Sequence, residues 1–340
     1  MAAAGGEGVE KLEDMIVRAA ETTSQHVAAA KAAIGNVIFG QEAVVERTLI
    51  TVLCGGHGML VGVPGLAKTK LVEALGTVLG LDARRIQFTP DLMPSDILGS
   101  EVLEEIPGGK RSFRFIPGPV FCQLLMADEI NRASPRTQSA LLQAMQEQRV
   151  SVAGQTHQLP LPFHVLATQN PLEQEGTYPL PEAQVDRFMF KVILDYPNEA
   201  DERKILDRMA FTSPEQPVNP VVSLEEILAT RKLVDQIHVD DKIRDYIVKI
   251  VFATRKPQDF KLDLKHYIQF GASPRATIFL TLAAKAWALL QGRDYVIPED
   301  VKSIGPDVLR HRIILTYEAE AQAVTTDAII KQVFNAVPVP

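Results

Sequence analysis

The residues best suited to chemistry stand between Gly62 and Thr69, in the run Gly-Val-Pro-Gly-Leu-Ala-Lys-Thr. The apolar run Met59–Val61 precedes them and a helical pattern follows, which predicts a strand, a tight loop and a helix. The backbone N–H groups of such a loop surround a phosphate, and the helix N-terminus points at it. Lys68 would reach the outer phosphates and the Thr69 hydroxyl would bind Mg²⁺. The sequence therefore predicts a nucleotide site, although Ala67 stands where the general pattern has glycine.

Two carboxylates, Asp128 and Glu129, end a second apolar run, Leu124–Ala127. In a protein with a phosphate loop, the first acid at the end of such a downstream strand holds Mg²⁺ directly or through a water molecule. The second acid orients and deprotonates the attacking water. Solvated acids at a strand end are the alternative, and the position downstream of Lys68 favours the catalytic interpretation.

Further polar residues follow along the chain. Asn170 ends the strand predicted at 163–168, where its amide would hold the attacking water, although an Asn before Pro also forms turns. The transition state of phosphoryl transfer usually draws on an arginine. Arg132, Arg187 and Arg275 are the candidates in this sequence.

The predicted elements form a parallel sheet flanked by helices, followed by a helical region. Two hairpins, near 99–116 and 149–159, interrupt the alternation of strands and helices. The first would project from the carboxyl edge of the sheet, where ligands and partners bind. The predicted domains are an N-terminal tail and helix (1–22), an α/β core (23–198) and a helical lid domain (199–340). The lid helices are predicted at 199–211, 223–236, 240–255, 274–291, 298–309 and 318–335.

Composition excludes several classes of protein. A net charge of −7 argues against a general nucleic-acid binder, whose surface would be basic. Cys54 and Cys122 lie in apolar stretches, as expected of buried thiols in a reducing compartment. The seven histidines lack the spacing of metal ligands. No segment has the roughly 18 apolar residues that a membrane span needs, and Met1–Gly8 lacks the features of a signal peptide. A cytoplasmic protein is expected.

Several segments, in the same order as in the family, together resemble the MoxR family of AAA+ ATPases. They are Gly62–Thr69, Met126–Arg132, Ala167–Pro171, Tyr178–Phe188, Gly271–Ala276 and Val308–Ile313. The resemblance extends from about residue 30 to the end, and Ala67 matches the family. It implies an AAA+ P-loop fold, which is a parallel sheet sandwiched by helices with a C-terminal all-α lid domain.

The resemblance also implies ATP and Mg²⁺ as cofactors and a role for each matching residue. The implied roles are Walker A for Lys68 and Thr69, Walker B for Asp128 and Glu129, sensor 1 for Asn170, arginine finger for Arg187, and sensor 2, reaching back to the phosphates, for Arg275. The metal ligands would be Thr69 and Asp128. The residues expected at the nucleotide are Phe39, Gly40, Gln41, Gly62, Val63, Pro64, Gly65, Leu66, Ala67, Lys68, Thr69 and Lys70. The two hairpins resemble the helix-2 insert and the pre-sensor-1 hairpin, and Arg132 is a candidate inter-subunit contact.

An arginine finger acts on the nucleotide of a neighbouring subunit, so the resemblance implies a homo-oligomeric ring, a hexamer. It implies a chaperone-like ATPase that remodels or matures client proteins together with a protein carrying a von Willebrand factor A domain. The ATPase subunit of a metal chelatase or cofactor-insertion activator is the main alternative. A nucleic-acid motor is less favoured, because His157 is the only possible cation between 150 and 160. Intact Glu129, Asn170 and Arg187 argue against a nucleotide-switched scaffold without turnover.

Overall fold

The structure is a computed structural model. It describes residues 23–106, 110–172, 176–212 and 218–340, so the expectation for 1–22 lies outside the described residues. The strands are β1 (Gly58–Val61), β2 (Ala83–Gln87), β3 (Gly99–Ile106), β4 (Lys110–Pro117), β5 (Leu124–Asp128), β6 (Arg149–Val152), β7 (Gln155–Gln158), β8 (His164–Gln169), β9 (Phe190–Ile193), β10 (Ile268–Phe270) and β11 (Ile314–Leu315).

The first five predicted lid helices are present, with shifts of at most two residues at their ends. The helices are α1 (23–35), α2 (Glu42–Leu53), α3 (Lys68–Val78), α4 (Pro94–Leu98), α5 (Pro135–Glu147), α6 (Glu182–Val185), α7 (Glu199–Met209), α8 (Leu224–Gln236), α9 (Asp241–Arg255), α10 (Pro274–Leu290), α11 (Pro298–Leu309), α12 (Tyr317–Ala321) and α13 (Thr326–Ala336). None of the helices in the described part of the chain is long and apolar enough to cross a membrane.

The central sheet has five parallel strands in the order β2-β5-β8-β1-β9. The predicted parallel α/β core is therefore confirmed. β5 is buried along its whole length, and one apolar cluster covers each face of the sheet. Because β5, β8 and β1 are neighbours, their carboxyl ends meet at one edge of the sheet. That edge carries the loop after β1 and the polar residues that end β5 and β8.

Both predicted hairpins are present, and they touch each other. β3 pairs antiparallel with β4 from Gly99 opposite Pro117 to Ile106 opposite Lys110, so the first hairpin lies within one residue of its predicted bounds. β6 and β7 form the second hairpin. The Phe115 ring stacks on His157, with ring centroids 3.8 Å apart and an interplanar angle of 12°. This stack joins the hairpin before β5 to the hairpin before β8.

The lid differs from its prediction in two places. The single helix predicted over 318–335 is wrong, because the chain breaks between α12 and α13. Ala323 adopts a left-handed conformation (φ 54°), and the Thr325 hydroxyl caps α13 by accepting a hydrogen bond from the Ala328 N–H at 3.2 Å. Besides its helices, the lid also contains the two-stranded sheet β10–β11.

Buried arginines fasten the lid to the core. Arg47 of α2 pairs with Asp307 of α11 at 2.8 Å, and Arg231 of α8 donates a hydrogen bond to the Val52 carbonyl at 2.8 Å. Arg312 is 4 % exposed and donates to Asp186 at 2.9 Å. Removing one partner from a buried pair of this kind typically costs about 3–5 kcal/mol of stability. The position of the lid on the core is therefore part of the folded state.

Two buried histidines make the fold sensitive to acid. The His57 and His164 rings are held by hydrogen bonds to the Met145 and Gly56 carbonyls, at 3.2 and 2.8 Å. Burial lowers the pKa of His57 to about 4 and that of His164 to about 3. The unfolded chain, in which a histidine pKa is about 6.5, therefore takes up protons that the folded chain does not. The contribution of the two neutral histidines to the free energy of unfolding is therefore fully present above pH 6.5. It is lost as the pH falls towards their folded-state pKa values.

Between pH 6 and pH 5 we expect the free energy of unfolding to drop by about 2 kcal/mol from these two residues. Urea titrations at the two pH values measure this drop. His266 is exposed, so the variant His266→Gln is expected to keep the same pH dependence. A free energy of unfolding that does not change between pH 6 and pH 5 would contradict the prediction.

Candidate active site

The loop between β1 and α3 has the backbone that its sequence predicted. A Cβ atom on Gly62 would lie 2.8 Å from the Leu194 Cβ, so only glycine fits there. Gly65 has φ 87° and Ala67 has φ 55°, both left-handed. This explains why the general pattern favours glycine at 67, since an alanine in that region costs about 1–2 kcal/mol. The chain retains this strain at the N-terminus of α3, as is common at functional sites.

Lys68 and Thr69 form the first turn of α3. The Lys68 ammonium donates hydrogen bonds to the Gly62 carbonyl and to the Val63 carbonyl, the latter at 3.2 Å. A cavity opens beside this loop, and its lining brings together most of the residues that the sequence singled out. They are Pro64, Gly65, Leu66, Ala67, Lys68, Thr69, Lys70, Asp128, Glu129 and Asn170.

The two acids at the end of β5 are held by a threonine of β8. Thr168 is buried, and its hydroxyl donates to Asp128 Oδ1 at 2.5 Å. The same hydroxyl oxygen accepts a hydrogen bond from the Glu129 N–H at 2.8 Å. Glu129 itself is left-handed, with φ 54°. Thr168 therefore fixes the carboxylate of Asp128 and the backbone of Glu129. Sequence reasoning missed its role, and the available signal was its place two residues before Asn170 on the neighbouring strand tip.

Two further residues that sequence reasoning missed come from β2. Arg85 donates to Asp128 Oδ2 from Nη2 at 2.6 Å and from Nε at 3.2 Å. Gln87 donates from its amide to Glu129 Oε2 at 2.9 Å. Because Arg85 and Gln87 are two residues apart, they lie on one face of β2. They reach the two acids only because β2 is the neighbour of β5 in the sheet.

Arg132 lies inside its own subunit's site. Its Nη1 donates to Glu129 Oε2 at 3.0 Å. The sequence left Arg132 as a candidate contact between subunits, and the structure places it as a counter-ion of Glu129. The Glu129 carboxylate thus receives hydrogen bonds from a cation and from an amide.

Asn170 has features of both roles that the sequence left open, a turn residue and an amide that holds the attacking water. Its Oδ1 accepts a hydrogen bond from the Leu172 N–H at 3.1 Å, which forms the turn. Its side-chain Nδ2 is buried and has no hydrogen-bond partner among the described residues. Buried donors are nearly always satisfied, so a donor left unpaired at the cavity wall suits a ligand oxygen or a water.

A second cavity adjoins the first and is mainly apolar. Its lining residues come from the chain before α2, from the phosphate loop and from α7: Val37, Ile38, Phe39, Gln41, Gly65, Leu66, Ala67, Lys70, Pro197, Ile205 and Met209. Gly40 is a turn residue with φ 69° and is not among them. Gln41 donates to the Asp195 carbonyl at 2.8 Å, which ties this segment to the end of β9. Because the two cavities share four residues, one ligand with an apolar ring and phosphates fits both.

Arg187 and Arg275 do not line the phosphate cavity. Arg187 donates from Nη1 to the Leu142 carbonyl at 2.9 Å, and its buried Nε has no hydrogen-bond partner among the described residues. Arg275 was expected to reach back to the phosphates, and here its guanidinium pairs with Asp186 at 3.2 Å. Asp186 also accepts hydrogen bonds from Ser273 at 2.8 Å and from Arg312 at 2.9 Å. Arg187 is therefore held on α5, whereas Arg275 is held on Asp186, where the lid meets the core.

The donors in the cavity suit magnesium bound together with a nucleotide. Thr69 and Asp128 contribute a hydroxyl and a carboxylate, the hard oxygen donors that Mg²⁺ prefers. Within the described ranges, no group of three or more His, Cys, Asp or Glu side chains is placed to hold a metal ion. A magnesium ion at this site would therefore need oxygens from the ligand, as is usual where it accompanies phosphates.

Comparison with known proteins agrees with this geometry. Residues 57–190 match the model of the ATPase family associated with various cellular activities (AAA), and residues 262–333 match the AAA lid domain. The chain is 46% identical over 308 residues to the chaperone MoxR1 of Mycobacterium tuberculosis, covering 90% of this chain and 80% of the relative. It is 33% identical to the MoxR protein of Paracoccus denitrificans, covering 92% and 95%. The crystal structure of a candidate ATPase from Cytophaga hutchinsonii superimposes with a TM-score of 0.89 at 42% identity, over 98% of this chain and 100% of that one.

Proposed function

Because this chain belongs to the MoxR family of AAA+ ATPases, we propose that it uses ATP hydrolysis to remodel or mature partner proteins. The observation that carries the proposal is the pair of joined cavities, in which the phosphate loop, Asp128, Glu129 and Asn170 meet. One relative at 46% identity is named a chaperone, and the chemistry of an ATPase supplies the energy that such a role needs.

The residues have distinct tasks in hydrolysis. The apolar cavity takes the adenine, and the loop with Lys68 takes the phosphates. Thr69 and Asp128 would hold Mg²⁺, which would neutralise phosphate charge when bound. Glu129 accepts the proton of the attacking water. The unpaired Asn170 Nδ2 donates to that water or to the terminal phosphate, which fixes the line of attack.

We propose that the active unit is a ring, a hexamer, in which Arg187 serves the nucleotide of the next subunit and Arg275 reaches the phosphates as sensor 2. Two observations support this arrangement. The Arg187 guanidinium does not line the cavity that contains Lys68, and it is held on α5 by the Leu142 carbonyl at 2.9 Å. The positive charge that the transition state needs would then come from the neighbour, so hydrolysis depends on assembly.

The partner we propose is a protein with a von Willebrand factor A domain, because the family is associated with such partners. The alternative, the ATPase subunit of a chelatase, shares the two hairpins and the same chemistry. A nucleic-acid motor is less favoured, because two arginines of the first hairpin are neutralised by acids of the same hairpin. Arg111 pairs with Glu105 at 3.2 Å and Arg114 pairs with Glu104 at 3.0 Å.

A cytoplasmic location is also part of the proposal. Cys54 and Cys122 are free thiols, and burial raises the pKa of both to about 12. Unpaired, unreactive cysteines are what a reducing compartment permits.

Capture of partners in a nucleotide-dependent manner tests the proposed function. We expect the variant Glu129→Gln, loaded with ATP, to retain a von Willebrand factor A domain protein or a client on affinity purification. The matched control is Lys68→Ala, which lacks the phosphate contact and should retain neither. Equal recovery with both variants would contradict ATP-dependent remodelling, and stimulation of ATP turnover only by a chelatase partner and porphyrin would favour the alternative.

A further inference from the structure

We propose that Arg85 is a positioning residue that occupies the metal-facing oxygen of Asp128 until a magnesium–nucleotide complex displaces it. This inference rests on the proposed function, because it assumes that Mg²⁺ enters the cavity with ATP. It adds a task for β2, a strand that supplies none of the residues lining the phosphate cavity.

The two oxygens of Asp128 are divided between two donors. The hydroxyl of Thr168, which is buried on β8, donates a hydrogen bond to Oδ1 at 2.5 Å. Arg85 directs both Nη2 and Nε at Oδ2, at 2.6 and 3.2 Å, rather than spreading them over the carboxylate as a fork. A guanidinium normally binds a carboxylate through two parallel hydrogen bonds to different oxygens. Here Thr168 holds Oδ1 and Arg85 places both of its donors on Oδ2.

A magnesium ion would compete for that same oxygen. Mg²⁺ binds oxygen at about 2.1 Å and requires near-octahedral geometry, so a guanidinium nitrogen 2.6 Å from Oδ2 stands in its way. The two cations also repel each other when they share one carboxylate. The carboxylate of Asp128 is therefore paired in the absence of metal, and binding of the metal must break that pair.

Arg85 is placed so that it is able to leave. Its side chain is 47% exposed, whereas that of Asp128 is 11% exposed. β2 is the edge strand of the sheet, so the guanidinium has solvent on its outer side. Arg85 also donates to the Gln87 Oε1 at 2.9 Å, and the other end of that amide donates to Glu129. Displacement of Arg85 thus removes one of the contacts that orient the amide at Glu129.

The experiment measures metal binding directly. The full chain is saturated with a non-hydrolysable ATP analogue, and Mn²⁺, as a substitute for Mg²⁺, is titrated by electron paramagnetic resonance. The variant Arg85→Met keeps the length of the side chain and removes its charge. We expect its Mn²⁺ dissociation constant to fall about three- to fivefold, the upper part of the range for an exposed ion pair. Arg85→Lys keeps the charge and is expected to stay near the wild-type value.

Arg84→Met is the matched control. Arg84 precedes Arg85 on β2, points to the opposite face and pairs with Asp82 at 3.5 Å, so its loss should leave Mn²⁺ binding unchanged. An unchanged or weaker Mn²⁺ affinity in Arg85→Met would overturn the inference, and Arg85→Gln provides the same comparison if the methionine variant does not fold. A wild-type chain that binds the nucleotide but no Mn²⁺ would instead contradict the metal in the proposed function, which separates the two failures.

Discussion

Replacing Glu129 with glutamine should lower the ATP turnover number at least about 100-fold while ATP affinity stays within about threefold of wild type. Glutamine has nearly the shape of glutamate but does not accept the proton of water at neutral pH. Its side-chain oxygen is still able to accept the hydrogen bonds that Arg132 and Gln87 donate to Glu129 at 3.0 and 2.9 Å. The left-handed backbone at 129 is unaffected by the change. The variant therefore removes the base and leaves the architecture of the site in place.

Steady-state phosphate release measures the turnover, and equilibrium binding of a fluorescent ATP analogue measures the affinity. Glu225→Gln is a suitable control, since Glu225 is an exposed acid in the first turn of α8 and should leave both quantities unchanged. Unchanged turnover in Glu129→Gln would exclude Glu129 as the general base. Loss of ATP binding would indicate instead that its charge is needed to hold the phosphates or their metal.

The parts of the site that lie within one segment could be predicted from the sequence. The strand, loop and helix around Lys68 follow from local pattern, and the structure shows why position 67 usually demands glycine. Asp128 and Asn170 could also be placed, because parallel strands end at one edge of the sheet. These predictions need only the rule that strand ends meet, so no order of strands was required.

Residues that act across strands could not be found in this way. Arg85 and Thr168 reach the acids because β2 and β8 both flank β5, and that order is a property of the whole sheet. Asp186, which holds Ser273, Arg275 and Arg312, depends on how the lid packs against the core. The break at Ala323 was missed because alanine favours helix, so nothing local in the sequence indicates its left-handed conformation.

Mixing two inactive variants should restore activity if Arg187 acts on the neighbouring subunit. Lys68→Ala removes the phosphate contact of its own site, and Arg187→Ala removes the arginine that the ring proposal assigns to the next one. Each variant alone should lose at least about 1,000-fold in turnover, the effect of deleting an arginine finger. In a ring assembled from equal amounts of the two variants, a site is complete only where a subunit that retains Lys68 lies next to the subunit that supplies it with an intact Arg187. Half of the subunits retain each residue, so about one quarter of the sites at the head-to-tail interfaces are complete. If the sites act independently, the mixture has about one quarter of wild-type activity.

The matched control mixes Lys68→Ala with Glu129→Gln. Both residues line one cavity of one chain, so no arrangement of these subunits creates a site with an intact Lys68 and an intact Glu129. Subunit exchange is verified by energy transfer between labelled variants before activity is measured. If Lys68→Ala regains ATP turnover when it is mixed with Arg187→Ala but not when it is mixed with Glu129→Gln, the arginine is supplied by the neighbouring subunit. If exchange is complete and neither mixture recovers, Arg187 must serve its own nucleotide, and its hydrogen bond to the Leu142 carbonyl would have to break for it to reach the phosphates.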